Sequence, residues 1–166
     1  MEIFYVRDDV LPKAYEHLPD YMNSKEANLM LLTTGLQESL LKHRYQIVQG
    51  KPGAKGPARG LWQFEKGGGV RGVLTHRSTA GLAKEIQDHM GYGKGVDAAY
   101  EALEKDDVFA AVFARLLYYT DPYNLPEIGQ VQRAWKLYDR TWRPGKPNPD
   151  TLPKHYMESV KALGLN

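Results

Sequence analysis

Cysteine is absent from the 166 residues, which excludes disulfides, thiolate nucleophiles, cysteine-ligated zinc and iron–sulfur clusters. Long apolar runs are missing as well. None approaches the ~20 residues a membrane helix needs, so membrane insertion is not expected. The first residues, Met-Glu-Ile-Phe-Tyr-Val-Arg-Asp-Asp, lack the basic start and apolar stretch of a signal peptide; cytoplasmic synthesis without an export signal is the expectation. Nor is there an excess of one charge: 22 Lys+Arg face 20 Asp+Glu, and the net +2 names no partner. The histidines at 17, 43, 76, 89 and 155 show neither His-Glu-x-x-His nor paired i,i+4 spacing. They read as surface or capping groups, and no metal is expected. Gly91-Tyr-Gly93-Lys-Gly95 has no strand before it and no Walker Lys-Ser/Thr, so it reads as a helix–helix loop, and no Gly-x-Ser-x-Gly elbow exists. No cofactor is implied.

What is present is an ordinary globular mix, 42% hydrophobic and 25% charged, of a length that fits one domain over residues 1–166. Tyrosine supplies 11 of the aromatics, more than a core alone favours, because each hydroxyl needs a partner. Helical periodicity dominates. Asn23 with Glu26 has the form of a capping box. Ala27, Met30, Leu31 and Thr34 then mark one helical face, and Gln37, Glu38 and Ser39 lie in the last turn. Thr79 to Met90 forms a second stretch, capped by Thr79 or Ser78, and Asp97 opens a third. After Asp106, Val108, Phe109, Val112, Phe113, Leu116 and Leu117 give the most apolar pattern, as expected of a central helix. Ile128 to Trp142 and a stretch from Pro153 to Gly164 complete the set.

Residues 42–77 are the exception. They carry Gly67-Gly68-Gly69 and a β-branched patch at Tyr45-Gln46-Ile47-Val48, and read as loops with two or three short strands. The expected fold class is therefore mostly α, of α+β type, with a small irregular or β lobe at 42–77. That lobe holds Lys42, Arg44, Lys51, Lys55, Arg59, Lys66, Arg71 and Arg77 against Glu65 alone, a net +7, while the remainder is −5. Such asymmetry points to a polyanionic partner.

Glu38 is the most informative carboxylate. It sits between an apolar helical run and a polar, glycine-rich loop, where partial desolvation would disfavour its charge and raise its pKa. A general acid working near neutral pH needs that property.

The wording around Glu38 carries a resemblance. Gln37-Glu38-Ser39 is followed by Ala58-Arg59-Gly60-Leu61-Trp62-Gln63-Phe64. This pattern is similar to the soluble lytic transglycosylase and goose-type lysozyme group of the lysozyme-like superfamily. There a Glu-Ser pair ends a helix and a Gly-Leu-Met-Gln segment follows across the cleft; here Trp62 stands in the Met position. Tyr138 matches the family's Tyr-Asn-Ala-Gly element in its tyrosine only, since Asp139-Arg140 replaces Asn-Ala; Tyr118 or Tyr119 is the alternative. Leu152-Pro153 through Val160 resembles the segment that opens the family's last helix. The compact chain also looks like cell-wall enzymes of phages and prophages.

The resemblance implies a lysozyme-like fold and cleavage of the β-1,4 bond between N-acetylmuramic acid and N-acetylglucosamine in peptidoglycan glycan strands. Glu38 would be the single acid and then base of a lytic transglycosylase. Ser39, Gly60, Trp62, Gln63 and Tyr138 are the substrate-binding candidates, with Trp62 stacking on a pyranose and Ser39 and Gln63 hydrogen-bonding hydroxyl or acetamido groups. It further implies a monomer that reaches the wall through a holin-type release partner or inside a virion. A hydrolase would need a second carboxylate to place water, about 6.5–9.5 Å away if it inverts, and Glu65 is the candidate. Two other readings stay open. One is a wall-binding or virion-structural protein without turnover. The other, not favoured, is a nucleic-acid binder stacking bases on Tyr45, Trp62 and Phe64 beside the basic lobe.

Overall fold

The computed structural model describes residues 2–165. Helix accounts for 62% of the chain. A short helix α1 (Glu2–Tyr5) continues through a wide turn, Val6–Val10, into α2 (Leu11–Glu16). Pro12 explains the widening: it has no N–H and its ring crowds the carbonyl four residues back. The Leu11 N–H accordingly reaches five residues back, to the Val6 carbonyl.

Helix α3 (Lys25–Ser39) is capped by Ser24, whose Oγ accepts the Ala27 N–H at 3.1 Å. The expected Asn23–Glu26 box does not form, because Asn23 closes the preceding turn by donating its N–H to the Asp20 carbonyl. Ten of the fifteen residues of α3 are buried, Leu29 to Leu36 without a break, so this helix is enclosed on all sides rather than one. It lies against α7 (Asp107–Tyr119), α8 (Val131–Trp142) and α9 (Leu152–Leu163). The expected central helix, α7, starts where Asp106 accepts the N–H groups of Val108 and Phe109. It touches α2, α3, α4 (Arg71–Thr75), α5 (Ala80–His89) and α6 (Gly95–Lys105). Helix α9 has Pro153 in its first turn and ends at Gly164, φ +67°.

Other expected boundaries shift. Thr79 precedes α5 but donates its hydroxyl to the Val73 carbonyl at 2.7 Å instead of capping. Helix α6 begins two residues before Asp97, and α8 three residues after Ile128.

The β lobe is smaller than its sequence suggests. Strand β1 (Tyr45–Ile47) pairs antiparallel with β2 (Lys55–Arg59), Tyr45 opposite Arg59 and Ile47 opposite Lys55. A tight turn follows, in which Arg59 and Phe64 exchange N–H···O bonds at 2.8–2.9 Å. The glycine-rich stretch is helical: a wide turn, Lys66–Val70, runs into α4. Gly69 is required there, since a Cβ would lie 2.5 Å from the Phe64 ring. Among the described residues no helix is long and apolar enough to cross a membrane.

Candidate functional site

The last turn of α3 and the turn 60–64 meet, and their contacts are internal. Ser39 is buried, and its Oγ donates to the Leu61 carbonyl at 2.6 Å. Trp62 is fully buried, its indole N–H bound to the Leu31 carbonyl at 2.8 Å. From the other side the Trp142 indole donates to the Trp62 carbonyl at 2.9 Å. Gly60 is buried with φ +78°, and a Cβ there would sit 2.8 Å from the Leu103 carbonyl oxygen.

These placements correct three expectations. Trp62 has no exposed face on which a sugar could stack, Ser39 spends its hydroxyl on the backbone, and Gly60 is a close-packing glycine. Trp62 and Ser39 bolt the turn between α3 and α8, and Gly60 seats it on α6. Phe64 is buried as well, so of the three aromatics named for base stacking only Tyr45 remains at the surface.

Glu38 emerges from this framework half-buried. One carboxyl oxygen, Oε2, accepts a short hydrogen bond from the Tyr138 hydroxyl of α8. Burial pushes the Glu38 pKa up to about 7; the Tyr138 hydrogen bond pulls it down, and the nearby charge of Glu65 adds to the rise. Tyr138 is buried in turn and held strongly in its protonated form, by burial first and by the Glu38 charge second. Behind it, Tyr138 stacks on Trp142 at 6.4 Å, and Trp142 packs on Tyr118 at 4.6 Å and on Phe64 at 5.8 Å. An aromatic cluster thus stands behind the tyrosine that holds the carboxyl.

Of the tyrosines proposed for this role, Tyr138 is the one bonded to Glu38. The Tyr118 hydroxyl lies 2.5 Å from Thr34 Oγ1. Thr34 gives its own proton to the Met30 carbonyl, so Tyr118 donates to Thr34. Tyr119 packs against Tyr21.

Glu65 is exposed. Its sequence neighbour Lys66 pairs with Asp97 of α6 at 3.1 Å instead. Gln63 is half-buried with φ +53°, its amide donating to the Gly60 carbonyl at 3.0 Å. Gln63, Glu65 and Trp142 line a groove of about 770 Å³. Glu38 is not in that lining. A second groove, of about 740 Å³, adjoins the first and shares His76, Thr120, Asp121 and Pro122 with it.

The +7 lobe is half neutralised within the molecule. Arg44 forms a bidentate pair with Asp107 at 2.6–2.8 Å, Lys55 and Arg59 clamp Glu104 at 2.6 and 3.1 Å, and Lys66 holds Asp97. Among the described residues, Lys42, Lys51, Arg71 and Arg77 have no carboxylate within 4 Å. The asymmetry read from the sequence is thus partly the lobe's attachment to the helices.

Sequence reasoning missed the support on the other side of Glu38. Gln37 Oε1 lies 2.7 Å from His155 Nδ1 and accepts the Thr151 hydroxyl at 3.1 Å, while the Gln37 amide donates to the Asn148 carbonyl. His155 is buried, with its pKa lowered chiefly by that burial, so it is neither a surface nor a capping histidine. The proline-rich connection and α9 are thereby tied to the residue before Glu38. The lone signal in the sequence was His155 itself, on the apolar face of a helix. No group of three His, Asp or Glu residues that could hold a metal occurs among the described residues. No family model, no curated protein and no solved structure matches the chain.

Proposed function

We propose that the protein is a peptidoglycan-cleaving enzyme of lysozyme-like fold, acting as a lytic transglycosylase on the β-1,4 bond between N-acetylmuramic acid and N-acetylglucosamine. The observation that carries this reading is the half-buried Glu38 carboxyl at a helix end, with a pKa near 7 and one oxygen held by Tyr138. Half-protonated near neutrality, Glu38 has Oε1 free to carry a proton to the glycosidic oxygen as the C1–O bond breaks. The Tyr138 hydroxyl then stabilises the carboxylate that remains. In the transglycosylase sequence the substrate's acetamido oxygen assists at C1. The muramic acid 6-hydroxyl next closes the anhydro ring, giving its proton back to Glu38. Substrate would lie across the Glu38 carboxyl and run on into the neighbouring groove lined by Gln63, Glu65 and Trp142, and the wall, reached after release or from a virion, is the place of action.

Inverting hydrolysis is the second reading, favoured by one observation: Glu65 is exposed, lines that groove, and lies near enough for its charge to raise the Glu38 pKa. Digestion of purified sacculi with mass spectrometry of the muropeptides tests both. Anhydro-muramyl ends support the transglycosylase and reducing ends the hydrolase. Glu38→Gln should abolish either product while circular dichroism is unchanged; a fully active Glu38→Gln protein would sink the proposal.

A further inference from the structure

Arg115 is the one buried arginine among the described residues, 6% exposed. It projects from α7, and its Nε donates to the Met22 carbonyl at 2.8 Å. Nη1 and Nη2 make no hydrogen bond among the described residues, and no carboxylate lies within 4 Å. The other partly buried or bridging arginines each have an acid: Arg7 has Asp8, Arg44 has Asp107, Arg59 has Glu104 and Arg140 has Asp121. The side chain is enclosed as a whole, yet Nη1 and Nη2 are not among the buried nitrogens that lack a partner, so the end of the guanidinium reaches solvent with no counter-charge beside it. The hydrogen bond to Met22 uses one nitrogen; the end-on pair is idle.

Arg115 lines the second groove, of about 740 Å³. Besides its tyrosines, the other charged or titratable groups of that groove are Glu26, His76, Arg77 and Asp121, and Asp121 is already paired with Arg140. Tyr21 and Tyr123, 69% and 71% exposed, stand in the same lining, with Tyr119 packed on Tyr21 at 6.0 Å.

We propose that this groove is a binding site for a carboxylate-bearing small ligand, anchored on Arg115 Nη1 and Nη2. The free fork matches two carboxylate oxygens. With Glu26 nearby, a single negative charge suits the groove better than a phosphate dianion, and the exposed tyrosine faces suit a peptide or sugar body. The site does not depend on Glu38 being catalytic.

The test is a two-dimensional amide NMR titration that also follows the Arg115 Nε–H. Four probes are used: acetyl-Ala-Ala with a free C-terminus, the same peptide as its amide, glucuronate and glucose. The acid form of at least one pair should shift Arg115 Nε–H and the amides of Tyr21, Tyr119 and Thr120 saturably. Its neutral partner should bind about tenfold more weakly, the loss of one charge-assisted bond. The pair that responds identifies the source of the carboxylate. Arg115→Lys, which keeps charge but not the fork, should weaken the acid about tenfold, whereas Arg133→Gln on α8, which removes a positive charge outside the groove, should leave it unchanged. Equal binding of acid and neutral probes, or no shift at about 50 mM, well above an ordinary millimolar Kd, would overturn the proposal. So would an equal loss in Arg133→Gln. Should Arg115→Lys fail to fold, the acid-to-neutral contrast on the unaltered protein decides.

Discussion

At the scale of single residues, Glu38 couples stability to the proposed activity. Its pKa rises from the ordinary 4.5 to about 7 on folding, so the folded state holds its proton more tightly than the unfolded chain. That favours folding at low pH. The advantage is lost as pH rises from about 4.5 to 7, and above 7 a buried charge is carried at a cost of at most about 3 kcal/mol. Glu38→Gln should therefore stabilise the protein against urea at pH 8 by up to that amount, with the difference vanishing near pH 4. Tyr138→Phe removes the bond that lowers the Glu38 pKa. The high-pH limb of kcat/KM, set by loss of the acid's proton, should move to higher pH, as a pH–rate profile on soluble muropeptide would read. A limb that stays put would mean that Tyr138 does not act through Glu38.

At the scale of elements, the end of α3 is built by exclusion of side chains. Leu40 and Leu41 both adopt positive φ, 58° and 54°, and Leu41 folds back onto Gly35, where a Cβ would lie 2.1 Å from its Cδ2. Gly35→Ala should thus displace Leu41 and cost about 2 kcal/mol of overpacking strain in a urea melt. Ser39→Ala leaves the buried Leu61 carbonyl without its side-chain donor and should cost about 1–3 kcal/mol. Neither change touches Oε1 of Glu38, so activity measured per folded molecule at low temperature should survive the Ser39 change. The helices themselves were largely legible: apolar spacing placed α3, α5, α7, α8 and α9, and Asp106 and Pro153 marked two starts. Boundaries that depended on a particular side-chain bond were not, because Ser24 rather than Asn23 accepts the Ala27 N–H, and the Thr79 hydroxyl donates to the Val73 carbonyl of the preceding α4. Helical geometry in Lys66–Thr75 was illegible for another reason. Three glycines carry no propensity for helix, and it is the Phe64 ring packed against Gly69 that holds them.

At the scale of the whole molecule, the near-neutral total charge conceals a lobe-to-body contrast that the fold turns inward. Glu104, Asp107 and Asp97 take up four of the lobe's eight cations. Duplex DNA binding should then be weak, with a salt slope of about four phosphates at most, from Lys42, Lys51, Arg71 and Arg77. A steeper slope in fluorescence anisotropy would revive the nucleic-acid reading. The tyrosines follow the same inward rule. Tyr5 to Asp107, Tyr15 to Asn28, Tyr100 to Pro57 and Tyr156 to Gly129 are all bonds between segments, so the surplus of hydroxyls serves as fastening as much as recognition.

The sequence by itself determined the helical class, the small lobe between α3 and α5, and Glu38 as the carboxyl at a helix end, because periodicity and chain order are local properties. Only the tertiary structure decided which neighbours of Glu38 face it. Burial and hydrogen-bond partners come from residues far apart in the chain: Trp62 and Ser39 went to the interior, Tyr138 came to the carboxyl from 100 residues away, and Arg115 was left buried without an acid.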